Sequence, residues 1–189
     1  MTIGTRSVLF GAHALWLHPF FVAAAWSRLY GFPLDFRLWA AFCLHDVGYI
    51  GCRDMDGEEG ERHVEVGGRI MESLFGREWG EFCRRHSRYW VKTHGGELSR
   101  LAVADKLAFA MTPWWLYIPM TSATGELKEY MAVSQQRQGG DDSFTAAERE
   151  SLASGSRRRW LSALQAYTIR WVEWHVEAPV AITRPQTSN

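Results

Sequence analysis

The chain has 189 residues, 47% of them hydrophobic, which is enough for a substantial core within the size range of one domain. Its 21 Lys and Arg balance its 21 Asp and Glu, and a zero net charge argues against a nucleic-acid protein working through a broad basic field. Cys43, Cys52 and Cys83 show no zinc-like pairing, and their odd number does not suit a disulfide framework, so they read as reduced core or near-core thiols of a cytoplasmic protein.

Helical periodicity runs along the chain, with no convincing strand alternation. Residues 7–26 are mostly apolar, and Ala23-Ala24-Ala25 has the small-residue character of a leader cleavage site. Gly11, His13, His18 and Pro19 inside that run, with only Arg6 before it, count against a leader or a membrane span. A short helix is expected over 7–17, then one over 19–30 with Pro19 in its first turn. Asp35 is placed to cap a helix over 36–48, and the acidic, turn-rich stretch 51–60 reads as a loop. Helices follow at 61–75, 78–93 and 98–111, the last two separated by Gly95-Gly96.

Pro113 opens a second part, whose WWLYIPM run is too short to span a bilayer. A helix over 124–136, an exposed loop at 137–143 and a short helix capped by Thr145 lead to a final helix over 156–176. That helix carries Trp160, Leu164, Tyr167, Trp171 and Trp174 at helical spacing. Packing onto the domain is the simpler use of this stripe, and a homodimer surface is the alternative. Residues 177–189 read as a loose tail.

The informative feature is where the metal-binding side chains fall. His18 shares a face with Val22, Ala25 and Leu29; His45 with Leu38, Ala41 and Phe42; His63 with Gly67, Ile70 and Leu74. His86 aligns with Trp79, Phe82 and Trp90, and Asp105 with Leu98, Leu101 and Ala108. Positions three, four and seven apart lie on one side of a helix, so each group should face the core. An imidazole or carboxylate there is unfavourable unless paired or bound to a metal. His13 and His175 read as core or helix-end histidines, and His94 as a helix-end cation.

The run FCLHDVGYIG, with His18 upstream and Ala104-Asp105-Lys106 downstream, resembles the HD-domain superfamily of metal-dependent phosphohydrolases. The ordered series His, His-Asp, His, His, Asp carries the resemblance over about residues 15–110. It implies an all-α fold: a single HD-domain helical bundle across the chain, extended by C-terminal helices over about 113–176. It also implies one ion held by His18, His45, Asp46 and Asp105, with His63 and His86 adding ligands for a second ion bridged by Asp46. Such nitrogen and oxygen ligation suits iron, manganese, zinc, cobalt or nickel.

The same resemblance makes the substrate a small-molecule phosphate ester, most plausibly a nucleotide, with no nucleic-acid polymer and no membrane as partner. Asp46, His86 and Lys106 are then the catalytic candidates. Lys106, Arg88, Lys92, Arg62 and His94 are candidates for holding phosphate or substrate. Asp54, Asp56, Glu58 and Glu59 are expected near the pocket mouth if they are more than a solvated loop. Trp114, Trp115 or Tyr117 could stack on a base, although a core role is the simpler expectation. No Gly-Tyr-Pro motif follows the doublet, so the chain departs from the branch that cleaves cyclic di-GMP, and it has no synthetase domain like that of bifunctional alarmone enzymes. A di-iron oxygenase and a non-catalytic ligand-binding module fit the same ligand series.

Overall fold

A computed structural model describes residues 1–137 and 144–176, and among these the fold is all-α, with no strand. Most of the expected loop at 137–143 and the whole tail 177–189 lie outside the described residues. Helix α1 (Ile3–Phe10) begins at Thr2, whose hydroxyl accepts from the Thr5 amide, and ends at Gly11. It lies earlier than the helix expected over 7–17, and turns carry the chain from Gly11 to α2 (His18–Tyr30). Pro19 sits in the first turn of α2, where its missing N–H is harmless. Asp35 caps α3 (Phe36–Leu44), accepting from the Arg37 amide at 2.9 Å.

Two expected helices are interrupted, both at candidate ligands. Helix α3 stops at Leu44 with His45 as its C-cap, and Val47–Tyr49 tightens into a single 3-10 turn. The segment expected as one helix over 78–93 is two, α6 (Arg77–Arg84) and α7 (Arg88–His94). Ser87 makes this break stable: its hydroxyl accepts from the Tyr89 and Trp90 amides and starts a new helix.

Between these lie α4 (Glu58–Glu61) and α5 (Val64–Phe75). After α7 come α8 (Arg100–Met111), α9 (Trp114–Thr124), α10 (Glu126–Arg137), α11 (Ala146–Ala153) and α12 (Arg157–Val176). Thr145 and Glu148 form a reciprocal capping box at the start of α11.

Helix α8 is the shared spine, packing against α2 on one side and α12 on another. Helix α3 rests on α2 and α5, and α5 on α6. This first group buries Val22, Trp26, Phe42, Met71, Leu101 and Ala104 around a common core. Helices α9 to α12 build a second apolar cluster from Tyr117, Leu127, Phe144, Leu152, Trp160 and Leu161. Trp160 and Trp171 of the final helix are buried, whereas Trp174 is exposed. Trp114, Trp115 and Cys43 are also exposed, so the core expectation fails for these three. Helix α9 turns its Tyr117 inward instead, because Tyr117 is the one packed on Phe109. Among the described residues no helix is long and apolar enough to cross a membrane.

Candidate metal centre

Five chain segments deliver six ligand-type side chains to one place. His18 opens α2, His45 caps α3 with Asp46 just beyond it, His63 precedes α5, His86 occupies the break between α6 and α7, and Asp105 lies within α8. Most therefore sit at helix ends rather than along the apolar stripes on which the sequence appeared to set them. Gly48 makes one of these placements possible. A Cβ there would stand 1.9 Å from the His63 carbonyl oxygen, so only glycine lets the turn after the doublet approach His63 closely.

The ligand atoms fall into two groups that share Asp46. In the first, His18 Nε2 lies 3.3 Å from His45 Nε2, 3.0 Å from Asp105 Oδ1 and 3.6 Å from Asp46 Oδ2. His45 Nε2 lies 3.1 Å from Asp46 Oδ2 and 3.7 Å from Asp105 Oδ1. In the second, His63 Nε2 lies 3.0 Å from His86 Nε2, and these nitrogens stand 3.6 and 3.5 Å from Asp46 Oδ1. Asp46 thus turns one oxygen to each group.

Proton positions follow from the partners. His63 Nδ1 donates to the Gly60 carbonyl and His86 Nδ1 to the Cys83 carbonyl, both at 2.6 Å. His45 Nδ1 is turned to the Phe42 carbonyl at 3.1 Å. A carbonyl only accepts, so in the neutral rings Nε2 carries a bare lone pair. The lone pairs of His63 and His86 then face each other across 3.0 Å with no proton between them. Asp46 Oδ2 is buried and has no donor in hydrogen-bond geometry. Both features are unfavourable for an empty polar cluster and are satisfied by cations, so the donor set fits metal ligation.

The electrostatics agree. Burial, with His86 next, pushes His63 down to about 3. Burial lowers His45 most, but the charges and hydrogen bonds of Asp46 and Asp105 together outweigh it and hold the ring up at about 10. Burial raises Asp105 most, yet Lys106, His18 and His45 together outweigh it, leaving its carboxyl well below the usual carboxylate range. Burial likewise raises Asp46, but His45, His13 and His86 together outweigh it and hold the carboxyl low. Two buried anions therefore need positive charge beside them, supplied by protonated His45 with Lys106 or, once His45 gives up its proton, by a cation.

No family model, curated protein or solved structure matches the chain. What stands is a helical protein with buried His and Asp groups able to hold a metal ion.

A cavity of about 380 Å³ adjoins the first group and is lined there by His13, His18, Arg88, Asp105 and Lys106. Lys106 Nζ stands 3.6 Å from Asp105 Oδ2. Of the sequence-derived phosphate candidates, Arg88 and Lys106 reach this cavity, and Arg62, Lys92 and His94 are not among its lining residues. Arg62 pairs with Glu58 on the surface, His94 stacks on Trp90, and exposed Lys92 lies one turn beyond Arg88. From the acidic loop, Asp56 lines the cavity. Asp54 instead accepts from the Asp56 and Gly57 amides, and Glu59 from the Arg53 amide.

Sequence reasoning missed a buried polar chain beside the metal centre. Glu126 is fully buried and accepts from Ser7 Oγ, Thr124 Oγ1, the Tyr130 hydroxyl and the Ala12 amide. Ser7 spends its single proton on Glu126, so its oxygen must accept from His13 Nδ1, 2.7 Å away. His13 therefore has a fixed tautomer, and its Nε2 is the ring position left open. A Cβ at Gly11 would stand 1.8 Å from Glu126 Oε2, so that glycine is the one local sign of the contact. Tyr49 completes this wall, stacking on His63 at 4.0 Å and tilted against His13 at 4.8 Å.

Proposed function

We propose that the chain is an HD-type metal-dependent hydrolase acting on a phosphate ester of a small molecule. The observation that carries this reading is Asp46, which divides its two oxygens between two histidine groups while Lys106 and Arg88 line the adjoining cavity. His18, His45, Asp46 and Asp105 would hold one divalent ion, and Asp46, His63 and His86 a second. A bound ion of this kind supplies an acidified water and neutralises charge on phosphoryl oxygens.

The chain's own residues do the rest. Lys106 and Arg88 bind the phosphate oxygens, and Asp105 draws the Lys106 ammonium towards the centre. The Ser7–Glu126 chain orients His13, whose Nε2 exchanges a hydrogen bond with a substrate oxygen. Tyr49 stacks against His63 and excludes water from that side.

A second reading, a di-iron oxygenase, is favoured by the same shared carboxylate and paired histidines. Screening the purified chain, loaded in turn with manganese, cobalt, zinc, nickel and iron, against phosphomonoesters and nucleotides tests the first. Phosphate release that is lost in Asp46→Ala with the helical signal intact supports hydrolysis. Bound metal with no phosphate release contradicts it, and an as-isolated iron pair with a mixed-valence spin signal moves the assignment to the oxygenase.

A further inference from the structure

The cavity beside the metal centre has two chemically different ends. His13, His18, Arg88, Asp105 and Lys106 make a polar, charged head end. Another part of the lining is aromatic and aliphatic, from Phe109, Tyr117, Phe144, Trp160, Leu164 and Tyr167, which belong to the second apolar cluster or pack against it.

Apart from the hydroxyls of Tyr117 and Tyr167, which are lone phenol groups on this wall, the polar atoms nearest those side chains are already engaged. Trp160 Nε1 donates to Ser134 Oγ at 2.7 Å, and Ser134 Oγ donates to the Met131 carbonyl at 3.0 Å. The Tyr130 hydroxyl donates to Glu126 at 3.1 Å, and the Thr112 hydroxyl to the Ala108 carbonyl at 2.9 Å. Besides Asp105, the carboxylate among the lining residues is Asp56, which accepts and cannot donate when ionised.

A nucleobase brought here would lose water from its ring nitrogens and exocyclic groups without gaining a matched set of partners. Sites of that kind disfavour polar groups strongly, whereas apolar surface gains by leaving water. We propose that the substrate is a phosphate monoester of an apolar alcohol, aryl or short-chain alkyl, rather than a nucleotide. The phosphate occupies the head end and the apolar body lies against the wall of α8, α9 and α12. This rests on the hydrolase reading for the fate of the ester, but the binding preference stands apart from it.

The test uses the full chain loaded with manganese(II) and has two arms. In the binding arm, calorimetry compares 1-naphthylphosphonate, which cannot be hydrolysed at a P–O–C bond, with methylphosphonate, the head alone. The naphthyl group should tighten binding by about tenfold or more. Leu164→Gln should remove most of that gain while leaving methylphosphonate affinity unchanged. Equal affinity for the two phosphonates, or a gain that survives both Leu164→Gln and Val133→Asn (Val133 of α10 also lines the cavity), overturns the proposal. In the kinetic arm, kcat/KM for 1-naphthyl phosphate should exceed that for adenosine monophosphate by about tenfold or more. A preference for adenosine monophosphate overturns the proposal and leaves hydrolysis standing. No release from either ester, with naphthylphosphonate still binding more tightly, removes the hydrolase reading and supports the apolar pocket.

Discussion

With both rings neutral, His63 and His86 turn bare Nε2 lone pairs to each other at 3.0 Å, each ring held by a backbone carbonyl on its far side. Two lone pairs in that position repel, and a cation between them removes the conflict. The full chain should therefore carry about two divalent ions and gain several degrees in Tm on loading. His63→Ala or His86→Ala should lower the metal content towards one ion per chain, while Asp46→Ala should empty both positions. Elemental analysis with thermal melts checks this, and an unchanged ion count in His86→Ala contradicts the two-group assignment.

Gly48→Ala should destabilise the fold by about 1–3 kcal/mol, since its Cβ meets the His63 carbonyl at 1.9 Å and backbone must move to admit it. The same movement displaces His63, so the second ion should bind more weakly than the first. Urea unfolding of the metal-free chain isolates the packing effect. A variant as stable as the parent would show that the close approach is unimportant.

Glu126→Gln keeps the shape but replaces an acceptor with a donor amid Ser7, Thr124, Tyr130 and the Ala12 amide, all of which donate. One donor is left facing another in a buried site, with an expected loss of about 1–3 kcal/mol. Denaturant unfolding measures it, and a neutral outcome removes the case for a structural role of this carboxylate.

Glu148 offers a pH-dependent term away from the centre. The Arg170 guanidinium, bonded at 2.8 Å, holds its carboxyl down at about 2, below the ordinary 4.5. A depressed folded value stabilises the native state fully above the unfolded value and progressively less as pH falls through the folded one. Glu148→Gln should thus cost about 1–2 kcal/mol at pH 7, and its difference from the parent should narrow from about pH 5 downward. Unfolding curves from pH 7 to 3 test the trend; a gap that widens on acidification reverses the sign.

The local part of this architecture was legible in the residues. Asp35, Pro19 and Thr145 act where their side-chain chemistry places them, because capping and proline effects need only a few neighbouring atoms. The six ligand-type residues stood out because burying them without a cation is unfavourable. Periodicity failed at His45 and His86, where α3 gives way to the tight turn that carries Gly48 and Ser87 starts a new helix, and the ligands fall at the breaks. The Ser7–Glu126 contact joins residues 119 apart, and no local pattern reports a pairing of that kind. Arg62 and Lys92 do not line the cavity, because neither adjacency to a ligand nor a shared segment sets the direction of a long, flexible side chain.

Helix α8 has one more consequence. Asp105, Lys106 and Phe109 all line the cavity from this single helix, so the metal end and the apolar end are read off one rigid rod. At about 1.5 Å of rise per residue, the Asp105 and Phe109 positions are set roughly 6 Å apart along its axis. The helix thus acts as a ruler: it fixes how far a ring can sit from the phosphorus it is joined to, and a one-residue insertion within it would put both marks out of register together.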